Sequence, residues 1–107
     1  MTRAVHWSTD ALSDLDSIVD YQASYDAAYA FKLVDQLEDA GEKLGRYSTG
    51  RPGRVHGTFE KSLPRLRYIM VYRLEGPAPD GAITILRIIH SSQDWREDSW
   101  PLPPKSR

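Results

Sequence analysis

The feature that most restricts the fold is a short segment in the second half of the chain. Residues 83–90, Ile-Thr-Ile-Leu-Arg-Ile-Ile-His, are almost entirely β-branched or apolar on both alternating faces. β-Branched residues favour strands, and a strand that is apolar on both faces is typical of the interior of a sheet. We therefore predict a sheet that contains this segment as a central strand.

Three other segments have the pattern of strands. Residues 66–74 alternate between two sets of side chains with a period of two. Residues 55–63 alternate weakly, and residues 5–7 predict an edge strand. Proline and glycine in residues 51–53 and in residues 75–82 indicate loops between these strands.

The chain between the edge strand and the first of these loops has a helical period. Ser8 can cap a first helix, because its hydroxyl can accept a hydrogen bond from a free amide of the first turn. Ser24 or Asp26 can cap a second helix, which Gly45 and the residues after it would end. The short connection favours an antiparallel helical hairpin. The predicted apolar stripes are Ala11, Leu12, Leu15, Ile18, Val19 and Tyr25 in the first helix and Ala27, Ala30, Phe31, Val34, Leu37 and Leu44 in the second.

The order of these elements predicts the fold class. A strand, a helical hairpin and three further strands make an α+β domain. With 107 residues, the chain is long enough for one such domain with its own core and too short for two. We place this single domain at residues 1–98 and assign residues 99–107, which include three prolines, to a C-terminal tail.

Charge is unevenly distributed, although the formal net charge is only −1. Residues 1–44 hold nine acidic and three basic side chains, whereas residues 45–73 hold one acidic and seven basic ones. Either the two parts attract each other within one fold, or the basic segment binds an anionic partner. We expect the partner to be acidic where it meets residues 45–73, with an affinity that depends on salt.

Composition excludes several kinds of site. The chain has no cysteine, which removes disulfides, thiolate metal sites and cysteine nucleophiles and suits a reducing cytosol. His6 and His56 lack metal-ligand spacing and no glycine-rich phosphate loop is present, so we expect no metal and no other cofactor. No apolar run is long enough to span a bilayer, and the N-terminus lacks an apolar signal-peptide core. These features predict a cytoplasmic protein with no membrane partner.

Arg87 and His90 are the most informative polar residues, because both belong to the predicted central strand. A guanidinium there needs partners, so Arg87 either pairs with a helix carboxylate or is presented to phosphate. His90, at the end of the strand, either bonds to the backbone or Asp94 or acts as an acid or base. Strand alternation puts Arg87 on the face of Ile85 and His90 on the other face, which argues against a compact site that contains both.

A second basic set lies around the preceding strand. Arg65, Arg67 and Arg73, interleaved with Tyr68 and Tyr72, could bind RNA through phosphate neutralisation and base stacking. Alternation, however, puts Arg67 and Arg73 on one face and both tyrosines on the other. That arrangement is also typical of a solvated basic face opposite an aromatic core face.

The combination of elements and motifs resembles the RelE/ParE superfamily of toxins from bacterial type II toxin–antitoxin modules. The similar pieces cover about residues 3–97 and are the strand before Ser8, Asp14-Leu15, Gly50-Arg51-Pro52-Gly53-Arg54 with Gly57, Tyr68…Tyr72-Arg73, and Ile85-Leu86-Arg87-Ile88-Ile89-His90 followed by Asp94-Trp95. The last strand and the Gly-Arg loop are the more specific parts. They look more like the ParE and plasmid-stabilisation side of the superfamily.

This resemblance implies an architecture and a partner. The sheet is expected to be antiparallel, with the last three strands as a meander and both helices packed on one side. A cognate antitoxin is expected to wrap the toxin with its C-terminal segment and neutralise it, in a hetero-oligomeric complex. ParE-like members poison DNA gyrase, whereas RelE-like members cut mRNA in the ribosomal A site.

Three functions follow from the resemblance as alternatives: a ParE-like toxin that poisons gyrase and inhibits growth, a RelE-like metal-free mRNA endonuclease, or a degenerate, non-toxic antitoxin-binding module. We favour the ParE-like toxin, because the chain lacks the lysines and the tyrosine after the last strand of many RelE-like nucleases. In a nuclease, His90 would be the acid or base, and Arg73 and Arg87 would hold phosphate. The residues expected to bind phosphate or the target are Arg51, Arg54, Lys61, Arg65 and Arg67.

Overall fold

The computed structural model describes residues 3–76 and 81–92. Its elements in chain order are β1 (Ala4–Trp7), α1 (Thr9–Ala23), α2 (Ala27–Arg46), β2 (Arg51–Pro52), β3 (Phe59–Leu63), β4 (Tyr68–Glu75) and β5 (Ala82–His90). The predicted α+β class and its order of strand, helical hairpin and three long strands are confirmed. The predicted boundary at residue 98, the tail at 99–107, and Asp94 and Trp95 lie outside the described residues.

The strands form one sheet in the order β1-β5-β4-β3-β2. The predictions that β5 is an interior strand and β1 an edge strand are therefore confirmed. β3, β4 and β5 form the expected antiparallel meander, but β1 pairs with β5 in parallel, so the sheet is mixed. A long crossover, here the helical hairpin and the meander, is the connection that parallel neighbours need. Arg51 and Pro52 pair with β3 as a short strand where a loop was predicted.

Side-chain caps define the helical hairpin. The hydroxyl of Ser8 accepts a hydrogen bond from the Ala11 N–H at 3.0 Å and begins α1 as predicted. Of the two candidates for the second cap, Asp26 is the one used, since its carboxylate accepts from the Tyr29 N–H at 3.1 Å. Ser24 instead ends α1. Neither α1 nor α2, the helices of the described residues, has the length and apolar content that a bilayer-spanning helix needs.

Two glycines of α2 set its distance from the sheet. The helix ends at Arg46 with Tyr47 as its cap, in the stretch predicted to end it, although Gly45 itself is still helical. A Cβ atom at Gly41 would lie 2.5 Å from the indole of Trp7, and one at Gly45 would lie 2.5 Å from the Arg3 carbonyl oxygen. No larger side chain fits these positions unless its neighbours move. The glycines are therefore packing residues that let α2 approach β1 closely.

The main core lies between the helices and one face of the sheet, as the resemblance implies. It combines Leu15 of α1 and Leu33 and Leu37 of α2 with Met70 and Ile85 of the strands. A smaller apolar cluster lies on the other face of the sheet and consists of Ile69, Val71 and Ile89.

The buried stripe of each helix is narrower than predicted. Leu12 and Phe31, which were assigned to the stripes, are 48% and 64% exposed. Tyr25, assigned to the stripe of the first helix, lies beyond the end of α1 at Ala23 and is 75% exposed. Leu33, which was not assigned, is fully buried. Each helix contacts the sheet along a single line of side chains, so apolar residues at the margins of the stripe remain in solvent.

A register shift changes the faces of β5. Val71 pairs with Arg87 and Tyr72 pairs with Ile85, which leaves Leu86 as an extra residue, the pattern of a β-bulge. Before the bulge, Ile85 belongs to the main core; after it, Ile89 belongs to the small cluster on the other face. The predicted alternation, which put both on one face, is therefore wrong beyond Leu86.

Candidate functional site

Arg87 and Asp14 form a nearly buried ion pair between β5 and α1. The Nε of Arg87 donates to Oδ2 of Asp14 at 2.9 Å, and Nη2 donates to Oδ1 at 3.1 Å. The two side chains are only 16% and 13% exposed. The hydrogen bonds to Asp14 raise the pKa of Arg87, against the opposing effect of burial. Of the two interpretations of Arg87, pairing with a helix carboxylate is the one present.

Where β1 ends, polar groups of α1 and its cap form hydrogen bonds to the exposed edge of β5. Trp7 is the last residue of β1 and pairs with Ile85. Beyond it, the Ser8 N–H donates to the Ile85 carbonyl at 2.9 Å, and the Ser8 hydroxyl donates to the Leu86 carbonyl at 2.9 Å. The Ile88 N–H donates to Asp14 at 2.8 Å. The side chains of α1 thus satisfy backbone groups that a longer β1 would have paired.

His90 lies at the end of β5 with defined neighbours. Its Nδ1 accepts a hydrogen bond from the Ser92 N–H at 3.1 Å and lies 2.7 Å from the Ser92 hydroxyl. A backbone N–H can only donate, so the proton of the neutral ring is on Nε2. The ring also meets Tyr68 edge-on at 5.1 Å. Burial raises the pKa of Tyr68, and a hydrogen bond from Gln22 opposes this shift.

Arg87 and His90 line one polar cavity. It has a volume of about 440 Å³ and lies between α1 and the adjoining ends of β4 and β5. Its wall also includes Tyr21 and Ser17 of α1 and Tyr68 of β4. The prediction that Arg87 and His90 cannot share a compact site is wrong. The pairing between the two residues is regular, but the long Arg87 side chain reaches Asp14 on α1 and so lies beside the same cavity as His90.

Arg73 lies in a different part of the sheet. It pairs with Thr84, six residues from His90 along β5, which is about 20 Å in a strand. Its Nε and Nη2 donate to one Glu75 oxygen at 3.1 and 2.9 Å, and the Thr84 hydroxyl donates to the same oxygen at 2.7 Å. These hydrogen bonds, first that of Thr84, lower the pKa of Glu75. The three residues predicted to catalyse RNA cleavage are therefore not brought together.

Arg51, Arg54 and Arg67 are exposed, the first two beside Glu60 and the third in the turn before β4. Arg51 pairs with Glu60 across β2 and β3. Arg54 donates its backbone N–H to the Glu60 carboxylate at 2.9 Å, with its Nε 3.7 Å from the same group. Arg67 has a φ of 68° in the turn before β4, so the prediction that it shares a strand face with Arg73 is wrong. The tyrosines Tyr68 and Tyr72 are in the main core, as the aromatic-face interpretation predicts.

Lys61 and Arg65 line a larger groove, of about 800 Å³, between α2 and β3 with the turn after it. Leucines form its apolar surface, namely Leu44, Leu63 and Leu66. Lys32, Asp35, Asp39 and Lys43 of α2 form its charged rim. Sequence reasoning did not find this groove, although the three- and four-residue spacing of those charges indicates one exposed helix flank.

Three exposed tyrosines were also missed as a group. Tyr21, Tyr25 and Tyr29 are 62%, 75% and 43% exposed around the turn that joins α1 to α2. The rings of Tyr21 and Tyr25 meet edge-on at 5.4 Å. Their regular spacing of four residues was the available sequence signal. Among residues 3–76 and 81–92, no group of three or more His, Cys, Asp or Glu side chains is arranged to hold a metal ion.

The fold has clear counterparts among solved structures. The chain is similar to the chromosomal ParDE toxin–antitoxin system from P. aeruginosa, with a TM-score of 0.75, 27% identity, and coverage of 83% of this chain and 96% of that one. It also has the fold of a chain in the RelBE2 toxin–antitoxin complex from Mycobacterium tuberculosis, with a TM-score of 0.61, 21% identity, and coverage of 84% and 99%. The fold is thus that of the RelE/ParE toxins.

Sequence comparisons identify the family. A family model described as the ParE toxin of the type II toxin–antitoxin system, parDE, matches residues 5–95. The candidate toxin Y4kP of Sinorhizobium fredii (strain NBRC 101917 / NGR234) is 32% identical over 94 residues, which are 87% of this chain and 93% of that protein. The chain belongs to the ParE toxin family and is a ParE-type toxin of a toxin–antitoxin system. This confirms the predicted superfamily and the side of it that the motifs favour.

Proposed function

We propose that this ParE-type toxin inhibits growth by binding DNA gyrase, without cleaving RNA itself, and that a cognate antitoxin neutralises it. The main supporting observation is the dispersion of the residues assigned to a nuclease. Cleavage of RNA needs a base at the 2′-hydroxyl, cations at the phosphate and an acid at the leaving oxygen, all within hydrogen-bonding reach. Arg73 is about 20 Å along the sheet from His90, and its guanidinium is bound to Glu75.

The state of Arg87 supports the same proposal. Its guanidinium already donates two hydrogen bonds to Asp14 inside the protein. A phosphate would have to displace a nearly buried carboxylate, which would then be left unpaired. Binding RNA through Arg87 would therefore weaken the contact between α1 and β5.

Expression from a tightly regulated promoter tests the target. We expect growth arrest with altered plasmid supercoiling and induction of the DNA damage response, and intact transcripts at ribosomes. Inhibition of purified gyrase in a supercoiling assay is the matching measurement in vitro. Cleaved transcripts with normal gyrase activity would reject the proposal, and growth unaffected by a folded protein would favour the degenerate, antitoxin-binding module.

The ribosome-dependent nuclease remains the second candidate, because Arg87 and His90 share one cavity. It predicts that the unmodified chain cleaves transcripts at ribosomes and that a stably folded His90→Ala/Arg87→Met variant does not. Asp14→Leu is added to this variant, so that no unpaired carboxylate is left in the fold. Our proposal predicts that neither the unmodified chain nor the variant cleaves transcripts.

The groove beside α2 is the surface that we propose for the antitoxin. Its leucines offer an apolar floor for a partner segment, and Lys61 and Arg65 belong to the basic segment at 45–73 that predicts an acidic partner. Tyr47 at its edge is 65% exposed. An extended or helical segment with alternating apolar and acidic side chains would match this groove.

Charge reversal tests the antitoxin groove. We expect Lys61→Glu/Arg65→Glu to weaken antitoxin binding at least tenfold and to remove most of its salt dependence. Arg46→Glu changes a nearby charge that does not line the groove and serves as the control. Equal affinity and equal salt dependence in the two variants would reject this part of the proposal. The remaining exposed arginines, Arg51, Arg54 and Arg67, stay predicted contacts to an anionic surface of the target complex.

A further inference from the structure

The tip of the helical hairpin combines exposed aromatic rings with negative charge. Tyr21, Tyr25 and Tyr29, which we call the tyrosine tip, present large rings to solvent around the turn between α1 and α2. Tyrosine offers a large rigid contact area and a polar hydroxyl, and it is enriched among the residues that dominate protein interfaces. A cluster of three on a small domain is therefore a candidate protein-binding surface.

The charge around the tyrosine tip indicates the chemistry of its partner. Residues 8–31 contain five aspartates and no lysine, arginine or histidine. Arg87 neutralises one of them, Asp14, from the sheet. Asp16 and Asp20 are exposed one turn apart on α1. A surface of this sign repels a phosphate backbone and attracts lysine and arginine side chains, which also bind favourably over tyrosine rings.

A cavity lies directly behind the tyrosine tip. Tyr21 belongs to both, because its side chain also lines the 440 Å³ space between α1 and the ends of β4 and β5. The other walls include the rings of Tyr68 and His90, the hydroxyl of Ser17, and the Asp14–Arg87 ion pair, in which the two charges compensate each other. This space is large enough for one long side chain of a partner and offers it aromatic faces and neutral acceptors. The tyrosine tip thus forms the rim of a binding surface, and the cavity forms its pocket.

The tyrosine tip is separate from the groove proposed for the antitoxin. The cavity behind the tip and the groove beside α2 have no lining residue in common. The groove is lined by four basic and two acidic side chains, whereas residues 8–31, which contain the tip, include no basic side chain. Two surfaces of opposite chemistry on one domain suit two different partners.

We propose that the tyrosine tip and the cavity behind it bind a cationic segment of the target protein, with one arginine or lysine side chain inserted into the cavity. This inference rests on the proposed function, because it requires a protein target. The aspartates steer the segment to the tip, and the tyrosine rings provide the contact area. The antitoxin then neutralises the toxin from the other surface.

Inhibition of purified gyrase holoenzyme on relaxed plasmid tests the inference. We expect Tyr21→Ser/Tyr25→Ser/Tyr29→Ser to raise the concentration for half-inhibition at least tenfold and to abolish growth arrest, with unchanged affinity for the antitoxin. Phe31→Ser removes an exposed ring of similar size from α2, two residues from Tyr29 and therefore on the opposite flank. It should inhibit gyrase as the unmodified chain does.

A second variant tests the charge of the partner without touching the rings. Asp16→Asn/Asp20→Asn should weaken inhibition about threefold to tenfold at low salt and leave little difference at high salt. Glu38→Gln, on the exposed side of α2, is the control.

Full inhibition by the tyrosine variant would overturn the inference while the proposed function stands. Loss of antitoxin affinity with toxicity retained would assign the tip to the antitoxin. An unmodified chain that does not inhibit gyrase would instead reject the proposed function.

Discussion

The two helices lie side by side on one face of the sheet but are attached to it by different means. α1 is held by polar groups: Ser8 and Asp14 bind the backbone of β5, and Asp14 pairs with Arg87. α2 is held by close approach, because Gly41 and Gly45 leave room for Trp7 and the backbone of β1. Directional bonds set the position of the first helix and shape complementarity sets that of the second. Substitutions at these contacts distinguish the two modes of attachment.

Removal of the carboxylate of α1 should have the largest effect. Asp14→Ala leaves the nearly buried Arg87 without its partner and the Ile88 N–H without its acceptor. We expect a loss of about 3 kcal/mol in the free energy of unfolding, measured by urea denaturation. Asp39→Asn removes a carboxylate from an ion pair whose side chains are 65–70% exposed, and should change stability by less than about 0.5 kcal/mol.

The double variant Asp14→Leu/Arg87→Met sharpens this prediction. Replacement of both partners by apolar side chains should recover most of the loss, because no charge remains buried. If the double variant were as unstable as Asp14→Ala, α1 would depend on the hydrogen bond to Ile88 rather than on the ion pair.

Addition of one methyl group should weaken the attachment of α2. Gly41→Ala gains helix propensity of about 1 kcal/mol, but its Cβ would overlap the indole of Trp7. The clash outweighs the gain, and we expect a net loss of about 2 kcal/mol. Trp7→Leu in the same chain should make the added methyl group less unfavourable, as a double-mutant cycle would measure. Higher stability of Gly41→Ala alone would contradict the close packing.

Loss of the Ser8 hydroxyl should have a smaller effect on α1. Ser8→Ala removes the cap of the helix and the hydrogen bond to the Leu86 carbonyl. We expect a loss of about 1 to 2 kcal/mol. Ser24→Ala, whose hydroxyl bonds only to an exposed carbonyl of the same helix, should be nearly neutral. Equal losses in the two variants would mean that Ser8 acts on the helix alone and not on the sheet.

The Arg73–Glu75 ion pair, which belongs to neither helix, should have the smallest effect, with a defined dependence on pH. Hydrogen bonds from Thr84 and Arg73 lower the pKa of Glu75, so their contribution is present above the ordinary glutamate pKa and lost as pH falls through the folded value. Thr84→Val should therefore reduce stability slightly at pH 7 and less at pH 3. If the stability difference between Thr84→Val and the unmodified chain increased as the pH fell, the hydrogen bond would not be lowering the pKa of Glu75, and this prediction would be rejected.

Most of the fold was predictable because its signals are local. The apolar character of residues 83–90, the cap at Ser8 and the alternation of residues 66–74 depend only on near neighbours in the chain. They gave the order of elements and the central place of β5, and the motifs gave the family. The width of the helix stripes was predicted less well, because Leu12 and Phe31 have the right spacing but the sheet does not reach them.

The site was predicted only in part. Arg87 and His90 were identified, yet their predicted separation was wrong, because alternation does not show how far the Arg87 guanidinium reaches toward Asp14 of α1. The tyrosine tip was missed, because a tyrosine in an apolar stripe has the same sequence signal whether it is buried or exposed. The leucine-lined groove could not be found, since it joins α2 to a turn about twenty residues away in the chain.

The elements, their order and the ParE family follow from local periodicity and from motifs, both of which are present in the sequence alone. The tertiary structure alone decided that Arg87 pairs with Asp14, that two glycines are packing residues and that three tyrosines face solvent. These facts are set by the distances between residues far apart in the chain. A side chain becomes a partner, a spacer or a binding surface only when the fold defines what lies next to it.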